Sequence, residues 1–519
     1  MPIVQAGSLN TTALVVPDLY VQVVAPQITL LNGVATDIIG VVGTASWGPV
    51  NAPVIAGGYA DYARGFGPLT ARKHDAGTQL ATAVQQGAQN FRVVRVSDGS
   101  DMAAAGSGPA GCIAFTARYS GTLGNGISVR VAPGSRPGQW RAIVGAPNAA
   151  PEVFDMPGGL SGNDFWQALA RAINLGTNDT RRGPSRLVTA SPGTGTAAPV
   201  AAVYPLSGGT DGANVAAEHL LGVDGLIRSG MYALRGQGCG IAILADCDDS
   251  TAWSEQAEFG LSEGVYMMGA SPAGSDLQET AANLAAAGVD DYSFKLLFGD
   301  WLYWRDPVNG LRLVSPQGFA AGRLANLSPE QSGLNKPIYG VVGSERTGLP
   351  AEGGSTTYSR AELDFLIRNG MDVITNPAPA GNIWALRAGH NSSSSNAVEG
   401  DNYTRLTNYI AATVNAGMGR YVGRVISLDL CRDVRSTLNA FLNGMVGQGM
   451  LPMLPDGSLP FSVVCNLGKG TNNPPERTDL GYFQADVQVQ YGAINERFIV
   501  NLEGGQTVQV ARQSDNGRV

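Results

Sequence analysis

The sequence contains little charge, few cysteines and no long hydrophobic run. Lys, Arg, Asp and Glu make up 15% of its 519 residues, and no apolar run approaches the ~18 residues that span a bilayer. The first residues have no basic segment ahead of an apolar one, so we expect a protein without a signal peptide, made in the cytosol, that does not bind membranes directly. The five cysteines form no CxxC pair, which argues against a zinc site or a disulfide framework and favours buried free thiols.

Lysine is scarce too, and the overall charge is negative. Four lysines stand against thirty arginines, and the formal net charge is −8 with an isoelectric point near 5.1. A protein that coats nucleic acid needs a basic face that releases counterions from the phosphates. The composition therefore excludes that class, and we expect no direct nucleic-acid partner.

Periodicity predicts an α/β multidomain protein that begins with an extended arm. Residues 1–25 hold two short apolar runs with no helical period and no local strand partner. In residues 26–99, apolar runs at 38–43 and 91–96 predict strands and residues 78–89 predict a helix. This region is therefore expected to be a compact N-terminal α/β segment.

The next two regions differ in their predicted secondary structure. Residues 100–205 show short strands broken by Gly and Pro around one helix at 165–175, which predicts an inserted, mainly β domain behind a small-residue linker at 99–111. Residues 206–395 alternate strands with helices and include one expected strand at 293–304. That alternation is typical of a parallel or mixed sheet with helices on its faces.

A polar break at 390–396 precedes the last domain, an expected α+β unit of residues 396–503. An apolar stripe in it predicts a helix, and residues 483–491 alternate apolar and polar side chains as a half-buried strand does. The stripe consists of Val434, Leu438, Phe441, Leu442 and Met445.

One pentapeptide matches the GxSxG motif of serine hydrolases, with Ser262 at its centre. A nucleophile elbow needs a strand before the serine and a helix after it, whereas a helix is expected before Ser262 and a strand after it. Of the three histidines, His74 and His390 lie in polar, loop-like stretches and His219 in a short helical one, so no triad is evident. We expect no catalytic residues, and a hydrolase that uses Ser262 is the alternative.

Two further motifs favour structural roles over ligand binding. Residues 106–111 match GxGxxG, but Pro109 and a strand replace the helix that would bind a pyrophosphate. Residues 246–249 follow a strand and could hold a hard cation, although Asp248 or Asp249 is also a good helix N-cap. The sequence has no Walker A motif, and we expect no cofactor, no metal site and no nucleotide-driven motor.

Six short motifs, in order along the chain, resemble those of contractile tail sheath proteins of myophages and related phage-tail-like particles. They are residues 17–23, 41–49, 119–125, 315–322 with 335–337, 432–449, and 472–474 with the closing strands. Asp18-Leu19 departs from the Pro-Gly-Val-Tyr that the family often has in the first motif. The resemblance covers nearly the whole chain and depends on the order of the motifs rather than on any one of them.

The resemblance implies a fold and a role. The α/β domain would be similar to a subtilisin fold without its protease triad, joined to an inserted outer domain and an inner C-terminal domain. The chain would be a structural subunit of a virion tail, assembled in the host cytoplasm as six-fold rings stacked around a tail tube. Baseplate and tail terminator proteins would be further partners. Contraction would drive the tube through the host envelope for genome ejection, and the sheath of a headless bacteriocin or injection particle remains an alternative.

Two terminal arms are the expected links between subunits. Residues 1–25 and 504–519 hold strands without evident local partners, and such a strand can satisfy its backbone N–H and C=O groups on a sheet edge of another copy. The candidate arm positions are Val21, Val23, Val508 and Val510, with Gly504 and Gly505 as the hinge.

Contraction and tube contact follow from the same resemblance. If the compact state hid roughly 200 Å² more apolar surface per subunit, a metastable extended lattice would release about 5 kcal/mol per subunit without a nucleotide. The C-terminal domain would face the tube through the polar side of its helix at 429–449. The candidate tube-facing residues are Arg432, Asp433, Arg435 and Asn439.

Overall fold

The computed structural model describes residues 3–4, 21–22, 31–147, 149–177, 182–349, 356–500 and 502. Near its start, strand β1 (Ile3–Val4) pairs in parallel with strand β2 (Val21–Gln22). This pairing corrects the expectation that the first 25 residues have no local strand partner. Each run is only two residues long, so neither carries the alternation by which a strand is recognised in a sequence.

Seven strands form the central sheet: β3 (Ile39–Gly43), β4 (Pro53–Ala56), β5 (Phe91–Arg95), β13 (Ile241–Leu244), β14 (Tyr266–Ala270), β15 (Phe294–Leu297) and β19 (Met371–Asp372). Their order is β19-β15-β14-β13-β3-β5-β4, and all neighbours are parallel except the edge strand β4. The helices between them are α1 (Tyr59–Phe66), α2 (Ala76–Gln85), α4 (Ala217–Leu221), α5 (Trp253–Glu263), α6 (Leu277–Ala286), α7 (Gln317–Ala325) and α8 (Arg360–Arg368). The expected mixed sheet with alternating helices is confirmed.

Both faces of this sheet are covered by helices. In β13, Ile241 and Ile243 enter a core shared with α1, α2 and α7, whereas Ala242 and Leu244 enter a second core with α5, α6 and α8. Parallel strands buried on both faces read as continuous apolar runs, which is why β13 shows no alternation of polarity.

Residues 103–205 contain two antiparallel sheets around helix α3 (Gly162–Leu175). The strands are β6 (Ala103–Ser107), β7 (Ile113–Ser120), β8 (Ser128–Pro133), β9 (Trp140–Gly145), β10 (Glu152–Asp155), β11 (Val188–Pro192) and β12 (Ala202–Pro205). Their orders are β11-β7-β6 and β10-β9-β8-β12. The helix predicted at 165–175 is confirmed, since Phe165, Leu169 and Ile173 are buried on one face of α3.

The small-residue linker expected at 99–111 is wrong for residues 103–107. Strand β6 occupies Ala103–Ser107, and Ala104 is fully buried. A Cβ on Gly106 would lie 2.6 Å from the carbonyl oxygen of Pro205, so the backbones approach too closely for a side chain. The small residues reflect close strand packing rather than a flexible connection.

The single strand expected at 293–304 is also wrong. After β15 the chain turns, and strand β16 (Leu302–Asp306) joins β17 (Gly310–Val314) and β18 (Val341–Ser344) in a separate antiparallel sheet of order β17-β16-β18. Asp300 is buried at the turn and accepts hydrogen bonds from the Ser344 hydroxyl at 3.0 Å and the Arg346 backbone N–H at 2.9 Å. Strands β20 (Ile374–Thr375) and β21 (Ala385–Leu386) form a further short pair.

The last domain contains helices α9 (Asp401–Met418), α10 (Leu428–Gly447) and α11 (Pro475–Thr478) and strands β22 (Phe461–Val464) and β23 (Asp486–Val489). Within the described ranges, none of the helices has the length and hydropathy of a membrane-spanning segment. All five cysteines are buried and unpaired, which confirms that prediction.

The polar break at 390–396 is not an exposed linker. Its first four residues, 390–393, are buried. Ser392 accepts a hydrogen bond from the backbone N–H of Leu296 at 3.0 Å and donates one to the Gly370 carbonyl at 2.8 Å. Polar side chains in this run therefore satisfy hydrogen-bonding groups of the backbone around β15. Apolar side chains at the same positions would leave those groups without partners.

Candidate assembly interface

Helix α10 is the core element of the C-terminal domain. Ser427 caps its N-terminus by accepting a hydrogen bond from the Leu430 backbone N–H at 3.2 Å. The predicted stripe is confirmed, because Val434, Leu438, Phe441, Leu442 and Met445 are all buried. One face of α10 is thus fixed in the core and the opposite face is left to solvent.

The sheet beside α10 consists of two strands only. Strands β22 and β23 pair antiparallel, with Phe461 opposite Val489 and Val464 opposite Asp486. Within the described part of the chain, no third strand pairs with either outer edge. The strand expected over 483–491 is limited to 486–489, and Val487 is 37% exposed. Two-stranded sheets are marginal alone, and open edges are templates for another strand.

The segment after β23 leaves this sheet without regular structure. Residues 490–500 contain neither helix nor strand. Phe498, Ile499 and Val500 are 82%, 79% and 68% exposed, and Leu502 is 92% exposed. Four apolar side chains in a short stretch that follows an open sheet therefore project into solvent, which is the signature of an interaction segment.

The predicted arm residues are only partly described. Val21 lies in the β1–β2 pair, opposite Ile3. Val23, Val508, Val510 and the hinge residues Gly504 and Gly505 lie outside the described residues.

The four predicted tube-facing residues lie on the solvent side of α10. Arg432 and Asp433 are exposed, and Arg435 and Asn439 are half-buried. Arg432 Nη1 lies 3.3 Å from Asp429 Oδ1, and Arg435 Nη1 donates to Asn466 Oδ1 at 3.4 Å. None of the four side chains belongs to the buried stripe of α10, and the three charged ones have different polar partners: Asp429 for Arg432, Arg424 for Asp433 and Asn466 for Arg435.

An apolar patch next to this face was missed by sequence reasoning. Val422, Val425 and Leu428 are 85%, 86% and 62% exposed in the turn before and at the start of α10. Arg424 lies among them and binds Asp433 at 3.0 Å. The three-residue spacing of these apolar side chains ahead of the Ser427 cap is the signal that could have found the patch.

Ser262 is not in a nucleophile elbow. It lies in the last turn of α5, and its hydroxyl donates to the Phe259 carbonyl at 3.0 Å. Strand β14 follows, so the expected order of helix and then strand is confirmed.

A buried polar cluster lies at the carboxyl end of the parallel sheet. Asp246 accepts hydrogen bonds from the His74 backbone N–H at 3.1 Å and from Gln79 Nε2 at 2.7 Å. Gln317, at the start of α7, accepts from the Asp246 backbone N–H and donates to the Leu244 and Met268 carbonyls. The cluster ties α2 and α7 to β13 and β14.

The same cluster carries a perturbed carboxyl group. Burial, with the nearby Asp75 carboxylate, raises the pKa of Asp246 to about 7. Such a group can act as an acid or base, but its two carboxylate oxygens accept hydrogen bonds from the His74 backbone N–H and the Gln79 side-chain amide, which fix its position in the fold.

The two following aspartates have structural roles as well. Asp249 accepts the Thr251 backbone N–H at 2.9 Å, which confirms the predicted N-cap, and Asp248 pairs with Lys73 at 2.8 Å. In the ranges that the structure describes, no three His, Cys, Asp or Glu side chains are grouped so as to hold a metal ion.

A buried ion network joins the sheet to α9. Lys295 Nζ on β15 lies 2.6 Å from Asp372 and 3.1 Å from Asp401, the first residue of α9, and all three side chains are fully buried. Burial alone lowers the pKa of Lys295, but the charges of Asp372 and Asp401 outweigh it, so this pKa lies above its ordinary value. Burial alone raises the pKa of Asp372, but Lys295 and backbone N–H groups outweigh it, so that pKa lies below its ordinary value.

The fold is similar to solved structures of contractile tail sheaths. A sheath tail protein from Listeria innocua is 14% identical with a TM-score of 0.59, covering 84% of this chain and 90% of that one. A sheath tail protein from Desulfitobacterium hafniense is 15% identical with a TM-score of 0.57, covering 85% and 92%. The helical sheath of the anti-feeding prophage in the contracted state is 11% identical with a TM-score of 0.55, covering 94% and 99%.

No family model matches the sequence, and no curated protein matches it. The resemblance to contractile tail sheath proteins is nevertheless confirmed at the level of the fold.

Proposed function

We propose that this chain is a tail sheath subunit that polymerises helically around a tail tube and contracts to drive the tube through a host envelope. The observation that carries the proposal is the two-stranded sheet β22–β23 with its open edges, together with the exposed apolar side chains of Phe498, Ile499, Val500 and Leu502 further along the chain. An open edge and an apolar segment on one chain form a head-to-tail contact between copies, and a contact that does not close builds a helix. The similar fold of a helical sheath supports this reading.

The terminal arms are the proposed connectors. Residues 1–25 and 504–519 would add strands to the C-terminal domains of neighbouring copies, with Val21, Val23, Val508 and Val510 facing inward and Gly504-Gly505 as the hinge. Four hydrogen bonds per arm at ~0.5–1.5 kcal/mol each would hold a joint of a few kcal/mol. Such a joint persists while the rigid bodies of the subunits rotate.

The body is proposed to be structural rather than enzymatic. A subtilisin-like, non-catalytic domain would combine residues 26–99 and 206–395, with residues 100–205 as an outer domain. The shared central sheet supports the first grouping. The helical position of Ser262 and the amide partners of Asp246 argue against a hydrolase.

Contraction is proposed to draw on a metastable extended lattice without a nucleotide. A baseplate at one end and a terminator at the other would complete a particle that is assembled in the host cytoplasm. A virus tail and a headless injection particle use the same subunit chemistry, and DNA packaged in purified particles would distinguish them.

Electron microscopy of the purified, overexpressed chain tests the proposal. We expect hollow helical tubes of uniform width, because the open edges and apolar segments satisfy one another between copies. A chain that stays monomeric at high concentration, or that forms only closed dimers, would contradict it.

The polar face of α10 is the proposed contact with the tube. Charge reversal by Arg432→Glu and Arg435→Glu is expected to prevent assembly on purified tubes, because the Arg432 guanidinium pairs with Asp429 at the surface, that of Arg435 donates to the Asn466 amide oxygen, and both lie outside the core. Co-sedimentation with tubes measures the loss.

The matched control is Arg368→Glu on α8, an equally exposed arginine in a similar helical ion pair with Asp364. It is expected to leave tube binding unchanged. Equal losses in both variants would assign the effect to net charge instead of to this face.

A further inference from the structure

His390 connects the body to the segment that leads into the C-terminal arm. Its ring lies between two glutamates: Nε2 is 2.8 Å from Glu496 Oε1, and Nδ1 is 3.8 Å from Glu399 Oε2. The His390 side chain is 9% exposed, and the two carboxylates are 30% and 26% exposed. Nε2 therefore faces the segment of residues 491–500, which leads into the C-terminal arm, and Nδ1 faces the loop before α9.

The two ring nitrogens of His390 differ in their hydrogen bonding. Nε2 has a hydrogen-bond partner in Glu496, whereas the buried Nδ1 has none within hydrogen-bond distance in the described structure. A neutral imidazole carries one proton and presents a lone pair at its other nitrogen, which here faces the Glu399 carboxylate. A protonated ring donates from both nitrogens and attracts both carboxylates.

The other charges around His390 balance one another. Lys295 Nζ donates to the His390 backbone carbonyl at 2.7 Å, and Asp372 and Asp401 bind the same ammonium group. Arg497 lines the groove beside Glu496. The two glutamates are thus the charges that respond to the state of the ring.

Few other hydrogen bonds join the segment of residues 491–500 to the body of the protein. Asn402 Nδ2 donates to the Gly492 carbonyl at 3.1 Å, and the Tyr491 hydroxyl lies 3.1 Å from that of Thr407. A groove of about 900 Å³ lies between residues 491–497 and α9, so the segment is not closely packed there. Beyond Glu496 the apolar side chains of Phe498, Ile499, Val500 and Leu502 are exposed.

We propose that His390 is a pH-dependent latch: when protonated it holds Glu496 and Glu399 together and seats the root of the C-terminal arm on the body, and when neutral it frees that root to reach another copy. The inference deepens the proposed function, because it names a regulation of the arm that the proposed sheath subunit uses. Mildly acidic conditions close the latch, and neutral or alkaline conditions open it.

Hydrogen–deuterium exchange of the full-length monomer tests the latch. Peptides covering residues 491–500 are compared at about pH 5.5 and about pH 8. After correction for intrinsic exchange rates, we expect about tenfold more protection at the lower pH, because one bond from a neutral ring is replaced by two bonds from a charged ring to two carboxylates.

Two variants and one control identify the groups. His390→Gln keeps a donor for Glu496 but cannot gain charge, and Glu399→Gln removes the second carboxylate at a partly exposed position; both are expected to abolish the pH effect. His219→Gln, at the histidine beside Glu218 on α4, is expected to retain it. A pH effect that persists in His390→Gln, or equal protection of the wild type at both pH values, would overturn the latch.

The measurement is made below the concentration at which polymers form. A chain that shows the latch but never polymerises would refute the sheath proposal alone. A chain that polymerises without any pH effect on residues 491–500 would refute the latch alone.

Discussion

A chain carrying Phe498→Asp and Val500→Asp is expected to remain a folded monomer and to form no helical tubes. Both side chains are largely exposed in the free subunit, so the substitutions remove no core contact. Residues 498 and 500 are two apart and share one face of an extended strand. Once that face is covered by another copy, two unpaired carboxylates would be buried against apolar surface, which is strongly unfavourable.

Sedimentation and electron microscopy measure this effect as a rise of more than about a hundredfold in the concentration needed for polymerisation, since each ~1.4 kcal/mol corresponds to a factor of ten. The matched control is Ile227→Asp, an 86% exposed apolar side chain in the loop after α4, which is expected to polymerise normally. Tubes of normal yield from the double variant would exclude residues 498–502 from the contact.

Local patterns predict the helices of this protein well. The stripe in α10 and the stripe in α3 both appear as buried faces in the structure. These helices carry their own periodicity, and each packs one face against one core, so the sequence within each window contains the information. The order of helix and strand around Ser262 is recovered for the same reason.

Strands made of small or polar residues are not predicted by such patterns. Ala103–Ser107 looks like a linker because nothing in the run is large, yet the close approach of Pro205 requires that absence. The polar run at 390–396 looks like a domain break, yet its side chains satisfy backbone groups of β15 and Gly370. Both errors come from partners more than 20 residues away, which a local window does not contain.

Sequence reasoning likewise predicts one part of the candidate interface and misses another. The polar side of α10 is visible in the sequence because it is the complement of the stripe. The link between His390 and Glu496 is not, because 106 residues separate them and neither stands in a recognisable motif. The network of Lys295, Asp372 and Asp401 is equally invisible, since each residue comes from a different element of the fold.

Lys295→Met is expected to produce the largest loss of stability among single substitutions in this network. Removing the ammonium group leaves two fully buried carboxylates, Asp372 and Asp401, without the cation that binds both of them, which costs about 3–5 kcal/mol. A Tm lowered by roughly 6 °C or more is expected by calorimetry, at ~2–4 °C per kcal/mol for a unit of this size. The matched control is Lys73→Met, where the paired lysine side chain is 54% exposed and the expected cost is below about 1 kcal/mol.

The pH dependence of this loss gives a second test. In the wild type, the lowered pKa of Asp372 contributes stability that is present above the unfolded value of 3.8 and is lost as the pH falls through the folded value. The raised pKa of Lys295 contributes stability that is fully present below 10.5 and is lost only as the pH rises through its folded value, so at neutral pH both contributions are intact. In Lys295→Met the buried Asp372 carboxylate, without the lysine charge, instead favours protonation, and the variant is expected to recover part of its deficit as the pH is lowered from about 7.5 to about 5. A deficit that is equal at both pH values would mean that lost packing, rather than the uncompensated charge of Asp372 and Asp401, causes the instability, and that the joint between the sheet and α9 is not held by this ion network.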